Sequence, residues 1–270
     1  MNGISQRETN GTMKSLIVKI RQFLLKNFIP EFIWPKNVIL NGVKIPVRHM
    51  DFSFGNKLNL CKGVYEYPER KLLGFLVSGM NVVEFGSSIG ILSAIISEKI
   101  GDTGKLVSVE ASPKLVLNQL KWLCPIRKNI IVLQGYAFPV NVLPRGLSVQ
   151  NFDSSEATHC GKVDFCISAS GEKNNLFDIS SINTPDRYFD RGVECLICDI
   201  EGSEEIIAEY GFNMPKSLAH ILIELHPWMY KEKETVNKII DNIKSAGFRL
   251  MDKEADTYYF ARQENYRVEA

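Results

Sequence analysis

The sequence predicts an α/β fold built on a mostly parallel sheet, and three observations predict it. From Gly63 onward, strand-like and helix-like runs alternate, the pattern of right-handed strand–helix–strand crossovers. Several strand runs are almost continuously apolar, as strands covered on both faces must be. The chain then closes with "FRLMDKEADTYYFARQ", two strand-like runs around a polar turn, which adds an antiparallel strand at the sheet's edge.

The N-terminal segment, residues 1–62, stands apart from this alternation. Its first 50 residues hold eight Lys and Arg against two Glu, and "MKSLIVKIRQFLLKNFIPEFIW" mixes bulky apolar with basic side chains. This reads as a basic amphipathic helical arm, ended by Pro30 and Pro35, that packs on the domain or on a second subunit. Its other reading is peripheral contact with an anionic membrane surface. Charges interrupt it too often for a membrane span, and it lacks the cleavage site of a signal peptide.

Residues 63–270 form the main domain. Strands are expected at "NVVEF", "KLVSVE", "NIIVLQG", "VECLICDI" and "AHILIELH". Between them "GILSAIISEKI", "SPKLVLNQLKWL" and "SEEIIAEYG" read as helices. A longer helix, "KEKETVNKIIDNIKSAGF", places Val236, Ile239, Ile240 and Ile243 on one face, with Gly247 at its C-terminal cap. Residues 136–192 break the alternation with turn-rich stretches around one strand candidate, "VDFCIS". A loop region this long in a compact domain is expected to serve function, here as an acceptor-site insert.

Composition narrows the class. A chain of 270 residues with 45% hydrophobic and 23% charged residues is ordinary for a globular protein. A net charge of +1 supplies no field to attract nucleic acid, so no nucleic-acid partner is expected. Six cysteines without a signal peptide do not make a secreted disulfide framework, so the expected compartment is the cytoplasm. Cys195 and Cys198 are spaced C-x-x-C, but residues three apart in a strand point to opposite faces, so they are expected as buried thiols.

The stretch "NVVEFGSSIGILSA" holds a strand, a glycine turn and a helix start, with Glu84 just before Gly86 and with Gly90 four residues on. A dinucleotide fold wants G-x-G-x-x-G, whose middle glycine lets the backbone approach a pyrophosphate. Here Ser87 and Ser88 follow Gly86, and an acid aimed at the turn would repel phosphate. An acid suits a ligand that carries an ammonium group and no phosphate, and S-adenosylmethionine is such a ligand. Glu110, twenty positions beyond Gly90 at the end of the next strand, is the expected partner of its ribose hydroxyls. The bland alternative is that the glycines only allow close strand–helix packing and that Glu110 caps the helix beginning at Pro113.

Candidate chemistry gathers at two strand ends. "LICDIEGSEE" ends in Asp199 and Glu201, and "HILIELHPW" ends in Glu224 and His226, each pair two residues apart and so on one face. If the two strands are neighbours, about 4.8 Å apart, the four side chains converge. Methyl transfer from a sulfonium needs in-line positioning of the acceptor. For a hydroxyl acceptor, Asp199 or His226 takes the proton. A divalent ion on Asp199, Glu201 and Glu224 is the other route, since it would lower the hydroxyl's pKa. The sequence leaves both routes open.

These residues resemble the FkbM family of S-adenosylmethionine-dependent methyltransferases. The likeness runs from about "GVYEYPER" to "YYFARQ" and rests on Tyr65-Glu66, "VVEFGSSIG", "VSVEASP", "CDIEGSEE" and "IELHP". It implies a Rossmann-like class I methyltransferase fold with a seven-stranded sheet in which the Asp199 and His226 strands are adjacent. It also implies that Glu84, Gly86, Ser87, Gly90, Glu110 and Ala111 bind the cofactor, with Glu66 beside it. The implied reaction is O-methylation of a sugar or glycan precursor. The chain departs from the family's usual aspartate–x–glycine–alanine–asparagine turn in having Glu84, Ser87 and Ser88. Arg145, Phe152, Phe177 and Arg187-Tyr188 are candidates for an acceptor site. The alternatives are a methyltransferase for another small natural product, a polyketide or lipid, and a non-catalytic S-adenosylmethionine-binding module. An oligomer is compatible with every one of these readings.

Overall fold

The computed structural model describes residues 30–48, 50–137, 176–177, 188–212 and 214–263. The chain divides into two compact units, Met1–Tyr65 and Glu66–Ala270. Most of the expected arm, most of the 136–192 insert with "VDFCIS", and the side chains of Arg145, Phe152, Phe177 and Arg187 lie outside the described residues.

The described part of the first unit is a short 3-10 turn (Glu31–Ile33), a hairpin and a helix. Strands β1 (Asn37–Leu40) and β2 (Val43–Pro46) pair antiparallel around Asn41-Gly42. Both turn residues have positive φ, 48° and 82°, as the tight hairpin turn that matches strand twist requires. The arm reading passed over this hairpin, although "VILNGVKI" carries its sequence signal. Helix α1 (Phe54–Lys62) starts where the Ser53 side chain accepts a hydrogen bond from the Asn56 amide at 3.1 Å, and it stops at left-handed Gly63.

The second unit opens with α2 (Tyr67–Leu72) and then alternates as expected: β3 (Asn81–Phe85), α3 (Ile91–Ile100), β4 (Lys105–Glu110), α4 (Pro113–Trp122) and β5 (Ile130–Gln134). A short parallel pair, β6 (Tyr136–Ala137) with β7 (Leu176–Phe177), falls within the 136–192 region. β8 (Cys195–Cys198), α5 (Glu205–Tyr210), β9 (His220–Glu224), α6 (Thr235–Ser245), β10 (Phe248–Glu254) and β11 (Thr257–Arg262) complete it. The seven-stranded sheet has the order β10-β11-β9-β8-β3-β4-β5. β9, β8, β3, β4 and β5 are mutually parallel.

Burial explains why these runs chose this sheet. Every residue of β3 and of β8 is buried, which fits their nearly continuous apolar sequences and central places. On one face, Val83, Phe85, Leu196, Cys198, Ile221 and Ile223 join Ile239 and Ile243 of α6 in one cluster. Full burial of a side chain such as Phe85 or Phe260 contributes about 1.5–3 kcal/mol. Cys195 and Cys198 are buried free thiols.

The hairpin corrects one expectation. Its antiparallel strand is not at the edge: β11 lies between β9 and β10, and β10 forms the edge. Composition gives the reason. Thr257 to Ala261 of β11 are all buried, whereas β10 exposes Arg249, Asp252 and Lys253 and breaks register between Leu250 and Asp252. Charged side chains and a register break suit an edge strand, which must resist pairing with another chain. No helix among the described residues is long and apolar enough to cross a membrane.

Chain order reverses between β3 and β8. From β3 the chain builds outward through β4 and β5, and then returns to β3's other side with β8 and β9. Ligands in open α/β sheets bind at such a reversal, beyond the carboxyl ends of the strands.

Candidate active site

The glycine turn follows β3 at this reversal. Four of its five amides are satisfied inside the protein. Gly86 and Ser87 donate to the Val109 carbonyl at 2.9 and 3.2 Å, Ser88 donates to Glu110 Oε2 at 2.8 Å, and Gly90 donates to the Ser87 carbonyl at 2.8 Å. A pyrophosphate site needs amides pointing at the ligand, and these four have none to give. The Ser87 hydroxyl accepts from Gln119 Nε2 at 2.8 Å and is 2% exposed, so it fastens the turn to α4.

Both glycines are required by the backbone. Gly86 has φ 85°, and a β-carbon there would lie 1.5 Å from the Asp199 carbonyl oxygen. Gly90 has φ 82° and begins α3, where a β-carbon would meet the Gln119 side chain at 2.9 Å. The close-packing role of these glycines is therefore real, and it brings the β3 turn against the end of β8.

The two acids differ in placement. Glu84 is 1% exposed and lies between the sheet and α3, where its Oε2 accepts from Ser93 at 2.5 Å and from Ser108 at 2.7 Å. Burial pushes its carboxyl up to about 7, against the two serine hydrogen bonds. Its expected place facing a ligand's ammonium gives way to one beneath α3, because a residue two before the turn still faces the helix layer. Glu110 ends β4, as expected, at the reversal. Its two oxygens accept from the Ser88 and Ser112 amides at 2.8 and 2.7 Å, so it clamps the β3 turn to the β4 turn. Burial raises its pKa, while the amides of Ser112, Ser88 and Ala111 oppose that shift.

Asp199, Glu201, Glu224 and His226 do converge, because β8 and β9 are neighbours. The His226 imidazole is almost fully buried. Its Nε2 lies 3.5 Å from Asp199 Oδ1, 3.6 Å from Glu201 Oε2 and 4.0 Å from Glu224 Oε2. Its Nδ1 stands 3.3 Å from Glu204 Oε1. Burial alone would disfavour the imidazolium, but Glu204, Asp199 and Glu224 outweigh it and raise its pKa. Burial raises Asp199, opposed by His226. Glu224 is raised by burial and then by its hydrogen bond and charge contact with Glu69.

Three members of this cluster escaped the sequence reading. Glu204, fully buried, accepts from the Ile200 and Gly202 amides at 2.9 Å each and from the Tyr230 hydroxyl at 3.1 Å. Tyr230 in turn accepts from the His226 amide at 2.9 Å. Glu69 arrives from α2 and accepts from Thr257 at 3.1 Å. Glu204 had a signal, the second acid pair in "EGSEE"; Glu69 had none beyond lying within "GVYEYPER", and Tyr230 had none at all. Glu66 precedes α2 with φ 46°, Ser88 has φ 50° and Glu201 has φ 52°. Such backbone costs on the order of 1–3 kcal/mol per residue and gathers at functional sites. Trp228, 69% exposed, sets its ring edge-on to His226 with centroids 5.2 Å apart. A hollow lined by Asn81, Lys105, Asn129 and Arg191 opens at the opposite, amino-terminal end of the strands and holds none of these acids.

The family model for protein-L-isoaspartate(D-aspartate) O-methyltransferase matches residues 68–133, under half of the chain but including the glycine turn and Glu110. Among curated proteins no relative is matched by sequence. Aeropyrum pernix fibrillarin with natively bound S-adenosyl-L-methionine is similar at 15% identity, over 69% of this chain and 68% of that one, with a TM-score of 0.40. The Methanococcus jannaschii fibrillarin pre-rRNA processing protein is similar at 16% identity, over 70% and 68%, with a TM-score of 0.43. A SAM-dependent methyltransferase from Aquifex aeolicus is similar at 15% identity, over 71% and 86%, with a TM-score of 0.39. Structural likenesses this remote carry no weight for the reaction. The family match over the glycine turn and Glu110 supports an S-adenosylmethionine-dependent methyltransferase activity, and the sheet order accommodates it.

Proposed function

We propose that the chain is an O-methyltransferase of FkbM type that transfers the methyl group of S-adenosylmethionine to a hydroxyl of a sugar or glycan precursor. The observation that carries this reading is the convergence of Asp199, Glu201, Glu224 and His226 at the sheet's reversal, beside an exposed Trp228. A cluster so rich in carboxylates disfavours a carboxylate or phosphate acceptor by like-charge repulsion and accepts a neutral hydroxyl. An exposed aromatic face beside it offers a surface on which a sugar ring can rest.

The residues present fit the cofactor by their chemistry. Four of the turn's five amides are engaged within the protein and so are not offered to an anion, and Glu110 stands at the strand end where ribose hydroxyls are expected. In this reading Glu110 and Ala111 hold the ribose side, Gly86 to Gly90 shape the floor, and Glu84 supports α3 from beneath. Glu66 lies at the start of α2, which carries Glu69 to the cluster. When bound, S-adenosylmethionine supplies an electrophilic methyl group on a positively charged sulfur. Asp199 accepts the acceptor's hydroxyl hydrogen and takes its proton as the methyl group is transferred, while Glu204 and Tyr230 keep His226 in place. Holding donor and acceptor in line contributes on the order of 7–11 kcal/mol of barrier lowering in well-oriented systems.

The family match covers residues 68–133 and so leaves out every one of the four acceptor-end residues. For that reason isoaspartyl peptides belong in the test as a competitor. The test is methyl-labelled S-adenosylmethionine offered with sugars, glycan precursors, polyketides, lipids and isoaspartyl peptide, beside calorimetric titration with S-adenosylhomocysteine. Label on a sugar hydroxyl, and loss of thioether binding in Glu110→Ala, support the proposal. Label only on peptide carboxyl groups, or thioether binding with no transfer to any hydroxyl, overturns it.

A further inference from the structure

The His226 site has a geometry that hydrogen bonding does not explain. Among the described residues Nε2 makes no hydrogen bond to the three carboxylates it faces, and Nδ1 meets only Glu204, at 3.3 Å without good alignment, although the side chain is only 4% exposed. The Asp199 Oδ1 atom opposite it is likewise buried without a hydrogen-bond partner. His226 is also the one basic group within ion-pair range of Asp199, Glu201 and Glu224 among the described residues.

The separations fit a different arrangement. Nε2 stands 3.5, 3.6 and 4.0 Å from its three carboxylates, beyond ordinary N–H···O hydrogen bonds. Ligands bound to one ion at about 2.0–2.2 Å lie roughly 3.3–3.6 Å apart in a tetrahedron and up to roughly 4.3 Å apart across an octahedron. One ligand atom each from Asp199, Glu224 and His226 fall within 4.8 Å of one another. Glu204 supplies the outer partner that metal-bound imidazoles have. It faces Nδ1 at 3.3 Å and is itself fixed by two amides and the Tyr230 hydroxyl, which turns Nε2 toward the acids.

We propose that Asp199, Glu224 and His226 bind a divalent cation, with Glu201 at the open side and Glu204 as the carboxylate that orients the imidazole. One imidazole with carboxylates suits Mn²⁺ or Zn²⁺ better than Ca²⁺, which prefers oxygen ligands alone. The ion replaces the set Asp199, Glu201 and Glu224 expected from sequence by one centred on the histidine. This inference deepens the reading of the cluster as the acceptor end: a hydroxyl bound to the ion loses its proton more readily.

The test is direct. Protein stripped with EDTA is titrated with MnCl₂ while free Mn²⁺ is read by electron paramagnetic resonance, and S-adenosylhomocysteine binding is measured separately. Wild type is expected to bind one Mn²⁺ per chain. Asp199→Asn and His226→Gln should weaken binding at least tenfold, and Glu204→Gln by roughly 10–100-fold. Glu224→Gln supplies the same comparison if His226→Gln fails to fold, and Glu209→Gln on α5 should change nothing. Absence of saturable Mn²⁺ binding, or equal binding by all variants, overturns the site. Thioether binding without Mn²⁺ binding removes the ion and leaves the methyltransferase reading standing; the reverse removes that reading and leaves the ion.

Discussion

The Asp199 carbonyl oxygen stands 1.5 Å from where a β-carbon on Gly86 would be. The Asp199 amide donates to the Phe85 carbonyl at 2.9 Å as well, so the β3 turn and the end of β8 are joined backbone to backbone. Neither partner can yield by rotating a side chain. Gly86→Ala is therefore expected to cost roughly 3 kcal/mol or more, from left-handed strain plus a backbone collision. Gly90→Ala meets side chains rather than backbone, Gln119 at 2.9 Å and Leu123 at 3.1 Å, and should cost less, about 1–2 kcal/mol. Denaturant midpoints for the two variants check the ranking, and equal costs would mean that the Gly86 contact relaxes without penalty.

Glu84 makes stability depend on pH. Its carboxyl is pushed up to about 7 in the fold from an ordinary value near 4.5. Between those values the folded state binds more protons than the unfolded one. Its contribution is fully present below about pH 4.5 and is lost as pH rises through 7. The loss is on the order of 3 kcal/mol. Glu84→Gln should flatten this part of the profile and leave the variant more stable than wild type at pH 8. Urea melts at pH 5 and pH 8 decide it; parallel profiles would show that Glu84 is not the group responsible.

Asp199→Asn should separate chemistry from cofactor binding. The amide keeps the shape but removes the group that takes the hydroxyl proton, so turnover on an identified acceptor should drop by roughly 10²–10⁴-fold. S-adenosylhomocysteine affinity should stay within about twofold, since the expected ribose partner is Glu110. A variant with full turnover would place the base elsewhere.

Trp228 tests the acceptor side. Its ring is largely exposed and touches His226 by its edge, so truncation should leave the fold intact. Trp228→Ala is expected to raise KM for a sugar acceptor roughly 3–10-fold, in line with aromatic contacts worth about 0.5–1.5 kcal/mol, with kcat nearly unchanged. Steady-state kinetics give the split. An unchanged KM would remove Trp228 from the acceptor surface.

Much of the site was legible because strand ends obey a simple period. Asp199 with Glu201 and Glu224 with His226 each sit two apart, and that spacing was enough to put each pair on one face. Glu69 was not legible, since it reaches the cluster from α2, more than a hundred residues before Asp199. Glu84 was legible as an acid before a glycine turn but not in its orientation. Which side of a strand meets an open crevice and which meets a helix depends on the layers around it.

The sequence by itself determined the elements: apolar runs with strand or helix period, Gly86 and Gly90 where φ is positive, Pro113 at a helix start, and acids at strand ends. These follow from backbone sterics and local hydrogen bonding, which act over a few residues. Only the tertiary structure decided that β11 lies inside β10, that Gly86 meets Asp199, and that Glu204 and Tyr230 hold His226 against three further acids. Those relations join residues distant in the chain, and they are set by which surfaces bury best together once strand order is chosen.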